Sequence, residues 1–153
     1  MATNAHTYRG RKISISTEVA NEETDETAFE AMTFTEVGGV GNIGSFGPDT
    51  NVVSYDTLND AVQTKAKGIT NAGDPEVECA RNDADAGQTA MRAAGAPTNY
   101  DTYGFKVENQ DGSIDYLRGL VMGPVSPGGG VESFDLNVYT LALVQLPVHV
   151  NAA

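Results

Sequence analysis

Short runs of alternating apolar and polar residues recur along the chain, and this period of two is typical of β-strands. Residues 11–17 place Ile13 and Ile15 between polar neighbours, which predicts a half-buried strand. Further strands are predicted where Val, Phe, Thr or Tyr are enriched, at 28–37, 51–58 and 75–80. The pattern indicates a mainly β protein with many turns.

The clearest local pattern lies at residues 105–122, where Asp111 and Gly112 separate two strand-like runs. Asp-Gly tolerates the positive φ angles of a tight primed turn, so this segment predicts a β-hairpin. A loop containing Gly and Pro follows at 124–130. A long final strand or strand pair is then predicted over 131–146, where three apolar residues alternate with their neighbours: Phe134, Leu136 and Val138 against Asp135, Asn137 and Tyr139.

One short helix is predicted at about residues 83–94, with Asn82 or Asp83 as its N-cap and Gly95 just beyond its end. Its apolar face is mostly alanine, so the helix is expected to pack closely against a sheet rather than to form a core alone. Gly87 in its interior costs about 1 kcal/mol relative to alanine. The helix therefore needs the support of that packing.

Residues 38–74 show no consistent period outside the strand at 51–58, and they are interpreted as a long loop. Loops longer than ~15 residues are uncommon in compact domains and usually have a function. The segment includes GVGNIG at 39–44, which matches the G-x-G-x-x-G pattern of dinucleotide sites. Such a site needs a helix directly after the glycines. Residues 45–55 show no helical period, so a flexible glycine loop is predicted instead.

The chain is strongly acidic, with 21 Asp and Glu residues against 9 Lys and Arg and a formal net charge of -12. Ten of the carboxylates fall between Lys12 and Lys65, where no Lys or Arg occurs. Tight binding to DNA depends on Lys and Arg side chains that displace phosphate counterions. The composition therefore argues against a nucleic-acid-binding protein.

Few residues are suited to catalysis. His6 and His149 are the only histidines and lie near the termini, away from any Ser or Cys in a sharp-turn motif, so no enzyme is predicted. Cys79 is the single cysteine, which excludes an internal disulfide or thiolate cluster. Asp83 and Asp85 are more simply helix caps than calcium ligands, because calcium takes about 6 to 8 oxygen ligands. Neither a metal nor a cofactor is predicted.

The apolar runs are all shorter than the ~18 residues that a membrane helix needs, and the first residues lack the apolar stretch of a signal peptide. A protein made in the cytoplasm, without a membrane partner, is therefore expected.

The order of these features resembles the tail tube proteins of lambda-like siphophages and of gene transfer agents, over about residues 10–146. That family has an x-D-x-T-x-L strand, a G-x-x-D-x-G loop, another strand and a short helix with D-x-G-Q-x-x-x-R. The matching positions here are Tyr55, Asp56, Thr57 and Leu58; then, loosely, Gly68 and Asp74; then Asp85, Gly87, Gln88 and Arg92. The order Gly73-Asp74 and the acidic residues 22–26 depart from the family pattern.

The resemblance implies a β-sandwich or split barrel with one flanking helix, in a single tail tube domain over residues 1–153 with short terminal arms. It implies a structural virion protein that forms hexameric rings, stacked into a tube around a tape measure protein. A tail terminator and distal tail or baseplate proteins would bind the two ends of the tube. Such a tube is assembled in the host cytoplasm, lies in the virion tail and conducts DNA into the host.

A DNA conduit should not bind its cargo, and carboxylates in its lumen would repel the phosphates. Glu30, Glu36 and Asp56 are the best candidates for such lumen-facing acids, because all three are expected on strands.

Two other functions fit the same composition. An acidic β-sandwich that binds a glycan or calcium, as a capsid decoration protein, predicts a stable monomer with a clustered aromatic or carboxylate site and ligand-dependent melting. A tube protein of the type VI secretion kind would share the ring architecture with a tail tube protein.

Overall fold

The computed structural model describes residues 5–152, which form a mainly β fold, as predicted. Two helices lie within these residues, α1 (Glu26–Glu30) and α2 (Ala86–Ala94). The strands are β1 (Lys12–Val19), β2 (Phe34–Glu36), β3 (Val40–Ile43), β4 (Asp49–Tyr55), β5 (Thr64–Asn71), β6 (Glu76–Ala80), β7 (Tyr103–Glu108), β8 (Ile114–Val125), β9 (Leu136–Leu143) and β10 (Val148–Val150).

Eight of these strands form one antiparallel sheet in the order β2-β1-β7-β8-β9-β6-β3, with β10 added alongside β8. The long strand β8 joins the parts of this sheet, since its first half pairs with β7 and β10 and its second half pairs with β9. Strands β4 and β5 form a separate sheet of two strands. The fold thus consists of a large sheet and a hairpin set apart from it.

One side of the large sheet and α2 enclose the hydrophobic core. Its largest fully buried members come from five strands and the helix: Ile13, Ile15, Val77, Cys79, Met91, Phe105, Val107, Leu117, Tyr139 and Leu141. Burying one such aliphatic or aromatic side chain stabilises the fold by about 1.5–3 kcal/mol. Cys79 lies in this core, and burial raises the pKa of its thiol.

The other side of the sheet is partly covered by α1, where the sequence predicts a strand over 28–37. Asp25 caps this helix by accepting a hydrogen bond from the amide of Ala28 at 2.9 Å, and only the last part of the segment pairs as β2. The Phe29 ring of α1 stacks on Tyr116 of β8 at 5.1 Å. The strand prediction was wrong for residues 28–33. Helix α1 has only five residues and buries only Phe29, so its sequence shows no helical period that would distinguish it from a strand.

The prediction of a long loop over 38–74 was wrong. Residues 40–43 form β3 at an edge of the large sheet, so the GVGNIG segment is part of a strand, and β4 and β5 form most of the remainder. The strand predicted at 51–58 runs instead from Asp49 to Tyr55. Both faces of the hairpin are exposed, so its residues lack the alternation that a buried face imposes on a strand.

The predicted helix exists, but it begins later and uses another cap. Helix α2 starts at Ala86, and Asp85, rather than Asn82 or Asp83, accepts a hydrogen bond from the amide of Gln88 at 2.9 Å. Gly95 follows its last turn, as predicted. Short cap motifs are hard to place from sequence when Asn82, Asp83 and Asp85 are all good caps.

The hairpin predicted at 105–122 is confirmed as β7 and β8, although its turn is not the predicted primed type. The amide of Asn109 donates to the carbonyl of Ser113, and Gly112 alone in the turn has a positive φ, of 90°.

In β9, the last long strand, the residues predicted to share the apolar face are not the ones that face the core. Tyr139, Leu141 and Leu143 point into the core, whereas Leu136 and Val138 are half-buried on the other side.

Candidate assembly surface

The β4–β5 hairpin, residues 49–71, is called the arm. Among the described residues its strands pair only with each other. Large apolar side chains cover it without being buried: Val52 is 68% exposed, Tyr55 71% and Ile69 79%. Leu58 and Val62 at its tip are also fully or largely exposed. An isolated two-stranded hairpin is marginally stable in water, so the arm has the properties of a segment that packs on another molecule.

The register of the arm separates two different faces. Val52 lies opposite Lys67 and Ser54 lies opposite Lys65, which places both lysines on the same face as Val52. Val53 lies opposite Ala66 on the other face. Cross-strand partners share a face of a sheet, so the pairing determines this division. The sequence analysis missed it, because the register was not known.

The base of the arm is fixed to the core. The amide of Gly47 donates to the carbonyl of Ala72 at 2.9 Å, and Ala72 belongs to the buried core. Phe46 packs against the same core from the other side of the base. The arm therefore projects from a rigid base.

The residues of the D-x-G-Q motif close the gap between the two ends of the large sheet. Asp85 accepts a hydrogen bond from the amide of Gly38 at 3.0 Å. The Gln88 side-chain amide donates to the carbonyls of Gly38 and Ala80, at 2.8 and 2.9 Å. Gly38 lies in the short connection from β2 to β3, which are the two edge strands of the sheet. We call these contacts the seam.

Gly87 allows α2 to approach this connection. A Cβ atom at Gly87 would lie 2.1 Å from the Glu36 carbonyl oxygen and 2.5 Å from the Val37 Cα. Any other residue would therefore push the helix away from the backbone of β2. The closure of the sheet therefore explains Asp85, Gly87 and Gln88 of the motif. Arg92, the last residue of the motif, lies 4.0 Å from Asp83 in a surface ion pair.

The other motif positions lie in or near the arm. Asp56, Thr57 and Leu58 follow the end of β4, and the Thr57 hydroxyl donates to Asp60 at 2.6 Å. Gly68 lies in β5, where the Val53 side chain passes over it, and a Cβ atom there would be 2.8 Å from Val53 Cγ2. Asp74 is exposed, between β5 and β6. These positions shape the arm and its base.

The three candidate lumen acids are exposed on three separate elements. Glu36 is on β2, Glu30 ends α1 and Asp56 follows β4, so the expectation that all three are on strands was wrong for two of them. No hydrogen bond or ion pair within residues 5–152 links any two of them. Whether they line a lumen is a question about the assembled protein.

An acidic cleft of about 790 Å³ lies beside α1. Three acidic residues, Glu23, Asp25 and Glu26, line it together with Leu146, Pro147 and Val148. A hydrogen-bonded network fixes its wall. The Gln145 side chain binds the backbone of Thr24 and accepts a hydrogen bond from Arg118 Nε at 2.8 Å, while Arg118 donates to the carbonyl of Ala20. No sequence pattern indicated this network, since its members are up to 121 positions apart.

A histidine side chain on β10 forms a hydrogen bond with an aspartate on the neighbouring strand β8. His149 Nδ1 lies 2.7 Å from Asp115 Oδ1, and this hydrogen bond raises the pKa of His149, while Asp111 in the adjacent turn adds a smaller effect in the same direction. Asn109 donates to the second oxygen of Asp115. The protonated imidazole is thus the better partner for Asp115.

We expect His149→Ala to destabilise the protein only at low pH. A raised folded-state pKa stabilises the fold fully below the unfolded pKa of about 6.5, and this contribution is lost as the pH rises through the folded value. The pair is exposed, so the change in melting temperature at pH 5.5 should be small, below roughly 3 °C. Melting curves of the wild type and the variant at pH 5.5 and 8.5 measure it. A larger difference at pH 8.5 would contradict the assignment.

The described residues contain no group of three or more His, Cys, Asp or Glu side chains placed to hold a metal ion. Within the same range, neither helix has the length and apolar composition to cross a membrane. The surface features that stand out in residues 5–152 are the arm and the acidic cleft.

The overall fold is shared with chains from a contractile injection system and from the anti-feeding prophage. No family model and no curated protein matches the sequence. The likeness is therefore one of structure.

Three solved structures illustrate it. A chain of the sheath/tube terminator of the PVC extracellular contractile injection system, in its extended state, has a TM-score of 0.68 at 7% identity, over 99% of this chain and 100% of that one. The tube terminating cap of the anti-feeding prophage has a TM-score of 0.65 at 12% identity, over 99% and 94%. A chain of the six-fold symmetrised anti-feeding prophage baseplate has a TM-score of 0.63 at 10% identity, over 99% and 98%.

Proposed function

We propose that this protein is a ring-forming structural subunit of the tail tube of a phage or phage-like particle, and not an enzyme. The observation that supports this most is the arm, a hairpin with exposed apolar side chains whose strands pair only with each other among residues 5–152, on a fold shared over its full length with tube terminator and baseplate chains. Contacts between copies would cover the arm and relieve its exposure.

The narrower assignment is to a lambda-like tail tube protein in stacked hexameric rings. It is supported by the order of the family motifs in the sequence and by the six-fold symmetry of one structural relative. In this assignment the tape measure protein fills the tube before DNA does, and a tail terminator and distal tail or baseplate proteins bind its ends. The protein then lies in the virion tail.

Electron microscopy and light scattering of the purified full-length chain over a range of concentrations test this function. Hexameric rings or hollow tubes are expected at high concentration. A protein that stays monomeric at every concentration, with or without an added tube end, would contradict the proposal.

A tube terminator is a second candidate, because two of the structural relatives cap or terminate tubes. A terminator forms a single ring that stops growth, whereas a tube subunit forms stacks. The same micrographs distinguish them by whether rings appear singly or in stacks.

We further propose that at least one of Glu30, Glu36 and Asp56 faces the lumen. In a six-fold ring a Glu→Lys change alters the charge of each ring by about twelve units. A narrow tube keeps the DNA close to its wall, within the Debye length of roughly 10 Å at 0.1 M salt, so the DNA phosphates would respond to this change. At least one of Glu30→Lys, Glu36→Lys and Asp56→Lys should give particles with normal tails and slower DNA release, partly restored by salt. Timed release from purified particles at two salt concentrations measures this. Unchanged release from all three, with intact tails, would exclude the proposed lumen positions.

A further inference from the structure

The arm and the acidic cleft carry opposite charges, and this complementarity identifies the contact between copies more closely. On the arm, Val52 lies opposite Lys67 and shares a face with Lys65, two residues away on the same strand as Lys67. These two are the only cationic residues between Lys12 and Arg81. Neither forms an ion pair with another side chain of residues 5–152. The lysine face therefore lacks an ion-pair partner within the part of the subunit that the structure describes.

The cleft has the complementary arrangement. Its lining includes Leu146, which is 51% exposed, together with Glu23 and Glu26. Both carboxylates are exposed and have no ion-pair partner within the described residues. The arm thus presents a valine beside two lysines, and the cleft presents apolar residues beside two carboxylates.

The cleft is also rigid enough to receive a partner. Thr24, on its wall, is held through both its amide and its carbonyl by Gln145, and Arg118 in turn holds Gln145. Asp25 is occupied as the cap of α1. A preformed surface loses little conformational entropy on binding. Most of the entropy lost in this contact is therefore lost by the arm.

We propose that the lysine face of the arm docks into the acidic cleft of a second copy of this chain. This inference rests on the proposed function, since it names the partner of the arm in the assembly. Complementary charges fix the register of such a contact and disfavour wrong pairings, while the apolar centre supplies most of the affinity. Each subunit gives one arm and receives one, so the contact is heterologous and forms closed rings or continuous stacks.

Charge reversal tests the contact. Lys65→Glu combined with Lys67→Glu should lower the assembled fraction about tenfold or more, because like charges then face each other. Glu23→Lys combined with Glu26→Lys should do the same. The chain with all four substitutions should assemble again, since its arm and cleft are complementary with reversed signs. Sedimentation and electron microscopy measure the assembled fraction of each full-length variant.

A matched control is Arg9→Glu combined with Lys12→Glu, which changes the net charge as much as the arm variant does, at two exposed positions outside the arm. It should assemble like the wild type. Circular dichroism confirms that each variant is folded. Normal assembly of the variant with both arm lysines reversed would overturn the proposed contact. So would a chain with all four substitutions that is folded but does not assemble. If the wild type itself never assembles, the proposed function fails and this contact with it.

Discussion

Replacement of the arm, residues 49–71, by a short Gly-Ser linker should leave a folded subunit that no longer assembles. The buried core contains no residue of the arm, and the linker would join the two sides of a base that is already held by the hydrogen bond from Gly47 to Ala72. The melting temperature should change by only a few degrees, because little buried apolar area is lost. Rings and tubes should be absent at concentrations where the wild type forms them.

Insertion of the same linker after Gly112, in the exposed turn between β7 and β8, is the control for a general effect of added flexible chain. This variant should melt and assemble like the wild type. Normal tubes from the armless subunit would show that the arm has no role in assembly. A subunit that fails to fold without its arm would show instead that the arm stabilises the core.

Gly87→Ala should destabilise the fold by about 2–4 kcal/mol and lower the melting temperature by roughly 10 °C. In an open helix the same change would stabilise, by about 1 kcal/mol. Here the new methyl group would lie 2.1 Å from the Glu36 carbonyl oxygen, which belongs to the backbone and cannot rotate away. To make room, α2 must move from the β2–β3 connection, which weakens the hydrogen bonds of Asp85 and Gln88 to Gly38.

Gly41→Ala is the matched control, since Gly41 has an ordinary φ and open space around its missing side chain. Its melting temperature should stay within about 2 °C of the wild type. Thermal melting followed by circular dichroism compares the three proteins. An increase in the melting temperature of Gly87→Ala would mean that helix propensity outweighs the close approach, and that the seam is looser than the structure indicates.

The sequence predicted best the elements that bury one face. β1, β6, β7 and β8 were located because apolar residues two positions apart, such as Ile13 and Ile15, pack into the core. For the opposite reason the arm was predicted only in part: a strand was expected at 51–58, but β5 and its pairing with β4 were not. Val52, Val53 and Tyr55 are all exposed, so the apolar residues on β4 follow no period that the fold of a single subunit would require.

The candidate site was predictable only in part. The sequence marked Asp85, Gly87 and Gln88 as a motif, but only the structure shows that they close the sheet, because Gly38 lies about fifty positions away from Gln88. The same holds for the lysine face of the arm, which depends on the pairing of β4 with β5. Sequence located the charges, and register determined which of them act together.

The marginal stability of the arm has a consequence for the kinetics of assembly in the proposed tube. The first subunits to meet must order their arms while forming few contacts, so initiation is slow and subject to a critical concentration. Addition to an existing ring is easier, because a row of clefts is already in place. A cell that makes this subunit could therefore hold a large pool of free copies. The number and length of tubes would be set by whatever starts and stops growth, rather than by the amount of subunit.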